Sequence, residues 1–577
     1  MSETIKLSKV EGIKDQSQFL RGAMPEELAD GNDHFGHDSE VLLKFHGTYQ
    51  QDNRDERGAG GLTEDGKKSK SYIFMVRSRI PGGKLTSRQV LDHLDLCDEI
   101  GNTTLRITSR QGFQLHGVLK SNLKQAIRRI NDMQLSTLAA CGDVNRNVMC
   151  CPAPYKTPVY QQVQSLANEI ALHFAPRTRS YHDLWLTDTT TGVKEQIDTG
   201  SGDGFDVEPI YGKYYMPRKF KMAIGFAHDN CTDIYTNDLG LMAIVEGDKI
   251  IGYNVVVGGG HGLTPSNKKT FAAVAKRLTF ATPENVIKVV EAVFKVQRDF
   301  GNREDRKRAR LKYVVHDWGI DKFKEKVEEY YGGPLPACHP ADVTGFNDHM
   351  GWDQQGDGKW FYGLNIENGR IKDTDEMRLK TAIREICRTL NPTIALTAHQ
   401  SMIFGDIAEG DRSKLESILK SHGVKLTEEI STVRRYSMAC VAWPTCGLSI
   451  TESERALPGV IDHLEVALAK LGLSNEKFTV RMTGCPNGCA RPYNPDIGLV
   501  GKARGKYTLF VGGRLLGDRL AFLYKDMVPE EEITPTLTPL FAYFKAQRQE
   551  SETFGEFCDR KGLADLQAFA ADYQHSN

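Results

Sequence analysis

VNRNVMCCPAPY at 144–155 and VRRYSMACVAWP at 433–444 are two versions of one pattern. At an offset of 289, Val144 matches Val433, Arg146 matches Arg435, Met149 matches Met438 and Cys151 matches Cys440. The same offset lays LRITSRQGF (105–113) over IALTAHQSM (394–402), where Thr108 meets Thr397 and Gln111 meets Gln400. Farther along, NDLGLMAIV and VVVGGG resemble PDIGLVGKA and LFVGG, but the offset has fallen to about 258 and then 254. An insertion in the first half accounts for the drop, and the Gly/Asp-rich run TGSGDGFD at 199–206 is its candidate. Each match is weak alone; their shared order points to duplication. So long a period is not that of a solenoid. It predicts an α+β chain of two related halves about a pseudo-twofold axis, with room between them for a site that takes different chemistry from each.

The bulk properties set limits. With 577 residues, 40% hydrophobic and 26% charged, the chain is an ordinary globular protein of about three or four domains. Its 74 Lys and Arg nearly cancel 75 Asp and Glu, so no overall field steers nucleic acid or an anionic membrane, and neither is an expected partner. No run of about 18 apolar residues appears. MSETIKLSKVEGIKDQ mixes acids with bases and lacks an apolar core, unlike a secretory signal or a transit peptide. The cytoplasm is the expected location.

β-Branched and aromatic content marks SYIFMVRSRI (71–80), TTLRITSRQGFQLHGVL (103–119) and KIIGYNVVVGG (249–259) as strands. SRQVLDHLDLCDEI (87–100) and NVIKVVEAVFKVQRDF (285–300) have helical spacing. Gly258–Gly260 is either a turn or a close approach of backbone. Basic side chains concentrate on the first-half segments. Residues two apart on a strand share a face, so Arg77 with Arg79, Lys219 with Lys221, and Arg106, Arg110 and His116 on one unbroken strand can each present a common front. Arg303, Lys307 and Arg310 fall on one side of a helix if 302–314 is helical. A solvated face explains any single group, and His116 alone reads as a structural histidine. Several such groups in one half, with Arg146 and Arg218 beside them, favour a pocket for a polyanion.

The sharpest chemical signal is ACVAWPTC (439–446) with TGCPNGC (483–489). Cys440 and Cys446 are spaced C-x5-C, Cys485 and Cys489 C-x3-C. Four thiolates suit zinc or an iron–sulfur cluster. The first pair is wide for structural zinc, and the glycines around the second let backbone N–H groups reach cluster sulfurs. Iron–sulfur is favoured; zinc and buried free thiols stay open. Of the 12 cysteines, Cys97, Cys231, Cys338, Cys387 and Cys558 read as small packing residues. The first half lacks the complete pair, so one cluster is expected.

These motifs resemble the siroheme-dependent sulfite and nitrite reductases, most closely the hemoprotein type of assimilatory sulfite reductase. The resemblance runs from FHGTYQQDNRDERG at Phe45 to ETFGEF at Glu552, and ACVAWPTC, TGCPNGCARPY, NRNV and PRKFK carry it. It implies an internally duplicated sulfite/nitrite reductase fold with mixed and antiparallel sheets: an arm at 1–70, ferredoxin-like halves at 71–138 and 346–427, a siroheme and anion domain at 139–345, and a cluster domain at 428–577. It also implies six-electron reduction of sulfite to sulfide, with nitrite as the alternative substrate. A [4Fe–4S] cluster falls on Cys440, Cys446, Cys485 and Cys489, with Cys489 also axial to siroheme iron. The substrate anion falls to Arg77, Arg146, Lys219 and Lys221. Siroheme contacts fall to Arg106, Arg110, Gln114, His116, Arg218 and Arg310. Tyr49 and Cys141 match positions joined covalently in some ferredoxin-dependent relatives. No flavin or NADPH region is visible, so electrons come from a separate protein, ferredoxin in preference to a flavoprotein subunit.

Overall fold

The computed structural model describes residues 7–63, 66–178, 184–187, 191–197 and 208–576. The run at 199–206, the expected insertion, lies outside them. Two five-stranded antiparallel sheets share one plan. In the first, Thr48–Asp52, Tyr72–Arg77, Phe113–Val118 and Leu105–Ile107 lie side by side, and Arg370–Ile371 completes the edge. In the second, Gly351–Gln354, Trp360–Leu364, Met402–Ile407 and Thr393–Leu396 follow the same order, completed by Lys84–Thr86. Each half lends one short strand to the other: Arg370 pairs with Arg106, and Thr393 with Thr86. This reciprocal loan is the signature of the pseudo-twofold axis.

Each lent strand feeds a helix, Ser87–Ile100 in one half and Leu379–Leu390 in the other, and the two helices pack together. The first starts at a reciprocal cap: Thr86 Oγ1 accepts from Gln89 N–H, and Gln89 Oε1 accepts from Thr86 N–H. Its buried Val90, Leu94 and Cys97 follow the spacing read from the sequence. Charges of opposite sign join the pair, Lys380 to Asp98 and Arg384 to Asp95 and Asp98.

The stretch 103–119 is a hairpin and not the single strand expected. Thr108 N–H donates to Gly112 O, and Gln111 adopts a left-handed φ of 53°, which reverses the chain. Arg106 and His116 therefore sit on adjacent strands and Arg110 sits in the turn. The second half repeats the device: Thr397 N–H donates to Ser401 O, and Gln400 has φ 67°. Each of these glutamines then donates to a matched carbonyl, Gln111 to Cys150 O and Gln400 to Ala439 O.

The other two sheets are also twins. Ser437–Ala439, Val480–Thr483 and Ile497–Ala503 run parallel, followed by antiparallel Lys506–Val511 and Phe522–Pro529. In the first half a parallel bridge at Met149–Ala223 leads to Met222–Phe226 and parallel Leu239–Glu246, then antiparallel Lys249–Val257 and Lys276–Ala281. Crossover helices Pro158–His173 and Leu457–Lys470 occupy equivalent places. Gly259 is a close approach: a Cβ there would lie 2.2 Å from Tyr235 O. The expected helical face of Arg303, Lys307 and Arg310 does not form. Arg306–Arg308 is a short 3-10 turn, and Arg310 precedes the helix Leu311–Trp318. No helix among the described residues is long and apolar enough to cross a membrane.

Candidate active site

The parallel strands of the second half deliver the thiols. Cys440 follows Ser437–Ala439, and Cys485 follows the neighbouring Val480–Thr483, so the ends of two adjacent strands bring distant pairs together. Burial pushes the Cys440 and Cys485 thiols up, Cys485 to about 12, and the sulfur of Cys489 adds to both. That mutual repulsion is relieved when a cation binds all of them as thiolates. Gly484 N–H points at Cys440 Sγ (3.4 Å) and the Asn487 amide at Cys485 Sγ (3.5 Å). Gly484 has no room for a side chain: a Cβ would lie 2.6 Å from both Ala442 Cβ and Thr451 O. Arg54 fastens the 444–449 loop from outside. Its guanidinium donates to Pro444 O, Cys446 O and Ser449 O, and lies 3.8 Å from the Trp443 ring centre. The sequence reading missed Arg54, although DNRDERG contains it; no local spacing links it to a loop nearly 400 residues away.

Cys489 is the exposed cysteine of the four. It is also the one whose charge reaches Lys219 and Lys221. Burial and the charges of Arg146, Arg310 and Arg218 lower Lys219 to about 7. Burial, then Lys219 and Arg110, push Lys221 well down. Among the described residues no carboxylate pairs with either ammonium. Arg146 is 9% exposed; it donates to Gly142 O, at 3.3 and 3.2 Å, and its side chain also meets the Tyr49 hydroxyl. Arg77 donates to Cys141 Sγ at 2.8 Å, lies 6.0 Å from the Tyr49 ring centre, and meets the side-chain oxygen of Gln114. Lys219 and Lys221 thus stand within reach of Cys489 and Arg146 within reach of Lys219, while Arg77 and Arg146 meet at Tyr49.

Other expected residues have fixed protein partners. Arg106 is paired with Glu454 at 2.8 Å and donates to Ala439 O, one residue before Cys440. Arg310 grips Asp238 through two bonds, 3.1 and 2.7 Å. Arg110 donates to Asn237 Oδ1, Asn147 O and Met222 O. Arg218 leans on Asp143 at 3.5 Å, which Arg306 and Lys14 also approach. Arg79, expected to share the face of Arg77, is drawn away to Ala171 O.

The residues present fit the two groups the motifs imply. Four thiols of which two receive N–H donors suit an iron–sulfur cluster. His116 is 2% exposed and neither ring nitrogen has a partner. Burial and then Arg370, Arg106 and Arg77 keep it neutral. A buried ring with two unused nitrogens is hydrogen-bonding capacity that the protein alone leaves unsatisfied, as a site for a bound group would.

A duplicated scaffold that gathers four cysteines beside buried lysines with no carboxylate partner among the described residues is the layout of a redox enzyme. The model of the nitrite and sulphite reductase 4Fe-4S domain matches residues 141–335 and 431–575, and that of the nitrite/sulfite reductase ferredoxin-like half domain matches 65–133 and 353–422. The chain belongs to the nitrite and sulfite reductase family, and its cofactors are siroheme and a [4Fe–4S] cluster. It is 43% identical to "Sulfite reductase [ferredoxin]" of Synechococcus elongatus, over 99% of this chain and 92% of that protein. It is 41% identical to "Sulfite reductase [NADPH] hemoprotein beta-component" of Staphylococcus haemolyticus, over 98% and 97%. The solved structure of the Mycobacterium tuberculosis NirA protein superposes with a TM-score of 0.78 at 24% identity, covering 97% of this chain and 98% of that one, which supports the fold.

Proposed function

We propose that this chain is an assimilatory sulfite reductase that reduces sulfite to sulfide with electrons from a ferredoxin in the cytoplasm. The change takes six electrons and removes three oxygens as water, which no side chain can do alone. Siroheme and the cluster supply the electron delivery and the metal site for sulfur; Cys440, Cys446, Cys485 and Cys489 would hold the cluster. The chain's own part is electrostatic and protic. Arg146, Lys219 and Lys221 offset the dianion's charge with groups that no carboxylate has already neutralised. Arg77, tied to Cys141, borders the same front. Lys219, lowered to about 7, can both bind an oxyanion as ammonium and release a proton as oxygen leaves. The observation that carries this reading is the unpaired lysine pair within electrostatic reach of Cys489.

The test is a comparison of kcat/KM for sulfite and nitrite on purified holoenzyme, with reduced ferredoxin as donor. A preference for nitrite refutes the substrate assignment. A second donor has specific support, because a 41% identical relative is named as the hemoprotein component of an NADPH enzyme. Turnover with NADPH and a flavoprotein, but none with ferredoxin, transfers the donor role to that partner.

A further inference from the structure

A second group of metal-type donors lies in the first half. Cys151, Asp229, Cys231 and His349 offer one ligand atom each, all within 4.8 Å of one another. Their exposures are 5, 2, 3 and 4%. The expectation that Cys231 is a lone packing cysteine is corrected here: its sulfur meets that of Cys151. Cys151 Sγ lies 3.3 Å from Asp229 Oδ2 and 3.4 Å from His349 Nε2, and those two lie 2.9 Å apart. A tetrahedron with Zn–S near 2.3 Å and Zn–N or Zn–O near 2.0 Å has edges of roughly 3.3–3.7 Å. The two Cys151 contacts stand at that spacing, and Asp229 and His349, now hydrogen-bonded at 2.9 Å, need only part slightly to reach it.

The surroundings aim them. Asp229 Oδ1 accepts from the backbone N–H of Cys231 (3.1 Å) and of Asn347 (3.0 Å), which leaves Oδ2 for the centre. Asn347 Oδ1 accepts from His349 N–H at 2.9 Å, and His349 holds φ at 57°. Its Nε2 is the nitrogen that faces Asp229 and Cys151, and its Nδ1 is buried without a partner. Three acidic groups share one imidazole, and no Lys or Arg among the described residues is paired with Asp229. A divalent cation supplies the positive charge this set lacks.

Pseudosymmetry places the group. Cys151 stands two residues after Met149 as Cys440 stands two after Met438. Met149 bridges in parallel to Ala223 as Met438 pairs with Arg481. Asp229 and Cys231 follow Met222–Phe226 as Cys485 and Cys489 follow Val480–Thr483. The strand ends that carry the cluster thiols in one half carry these donors in the other. We propose that Cys151, Asp229, Cys231 and His349 form a structural zinc site at the pseudo-twofold counterpart of the cluster. Four protein ligands and full burial close the coordination sphere, which is the structural and not the catalytic pattern. The site joins the first half to the segment that enters Gly351–Gln354, the first strand of the second ferredoxin-like sheet.

The experiment uses full-length holoenzyme produced with both iron and zinc supplied. Elemental analysis should give about one zinc per chain alongside full cofactor iron, and zinc-edge X-ray absorption should show two sulfurs at about 2.3 Å and two N/O at about 2.0 Å. Cys231→Ser and His349→Ala should each lower zinc at least tenfold with the iron content and Soret band unchanged. Less than about one-tenth zinc per chain in the wild type overturns the proposal. So does a four-sulfur shell, which would place zinc in the cluster site. Zinc retained by both variants overturns it as well. If the variants fail to fold, the wild-type spectrum decides.

Discussion

Lys219→Met removes one unpaired cation from the anion front without touching a cluster cysteine. The methionine fills the same half-buried space, so the main change is loss of charge and of the N–H donors. Removing one preorganised donor to a developing oxyanion costs about 3–4 kcal/mol, or roughly 10²–10³ in kcat/KM. The wild-type pH profile adds a signature. Burial, Arg146, Arg310 and Arg218 lower Lys219 to about 7, so its charge is present below that pH and lost above it. With a single titration near 7, about nine-tenths is protonated one unit below and about one-tenth one unit above, a tenfold fall in the active form. kcat/KM reports the free enzyme and so senses the protonation of Lys219 before substrate binds. Nitrite is the better probe than sulfite here, because it stays one ionic species across that range. Lys219→Arg keeps its charge throughout, so its profile should be flat where the wild type falls. The assay is steady-state reduction of nitrite at several pH values with a chemical electron donor, after iron content and Soret band are shown to be equal. Equal profiles for wild type and Lys219→Arg refute the assigned proton role, and undiminished turnover in Lys219→Met refutes the anion role.

Cys485→Ser should lose the four cluster irons, checked by iron and acid-labile sulfide; a fully loaded variant contradicts the ligand assignment. Asp143→Asn leaves Lys14, Arg218 and Arg306 without their shared carboxylate, which should cost about 3–5 kcal/mol and show as a lower denaturant midpoint. Burial alone would raise the Asp143 carboxyl, but the charges of Lys14, Arg306 and Arg218 outweigh it and hold the carboxyl well below its usual range. Its stabilisation is therefore full above about pH 4 and drains as the pH falls through the native value, so the variant should lose the wild type's acid-side dependence. Arg77 donates to Cys141 Sγ and lies 6.0 Å from the Tyr49 ring centre, and a thioether between those two residues would leave a cross-linked peptide two hydrogens lighter than the separate pair. Intact masses of a digest check this; two unmodified peptides exclude the link.

What the sequence could show divides along a physical line. The duplication was legible because Gln111 and Gln400 keep one job in both halves, donating to the carbonyls of Cys150 and Ala439. The cluster cysteines were legible because thiol spacing and flanking glycine are local facts. The hairpin at 108–112 was not, since β-branched residues run up to both sides of a turn made by a left-handed glutamine. The lent strands 84–86 and 370–371 were not, because no periodicity tells a strand which sheet it will join. For the same reason the partners of Arg106 and Arg310 were hidden: Glu454 and Asp238 lie 348 and 72 residues away in sequence, and only packing brings them together.

Arg146 and Arg435 show how one ancestral position came to do two things. They occupy matched places in the two halves. Arg435 is bound by Asp348, with its Nη2 2.6 Å from Oδ1, and its charge is cancelled on the spot. Arg146 meets the carbonyl of Gly142 and the Tyr49 hydroxyl, and no carboxylate among the described residues is paired with it, so its charge is available to a ligand. The difference lies in the neighbour and not in the arginine. A cation inside a protein attracts an anion in proportion to how little of its field a carboxylate has already taken. The same logic separates Lys219 and Lys221 from Arg106 and Arg310, all of them basic and all near the site. An Asp introduced beside Arg146 would thus be expected to close the pocket electrostatically while leaving the fold and the four cysteines in place.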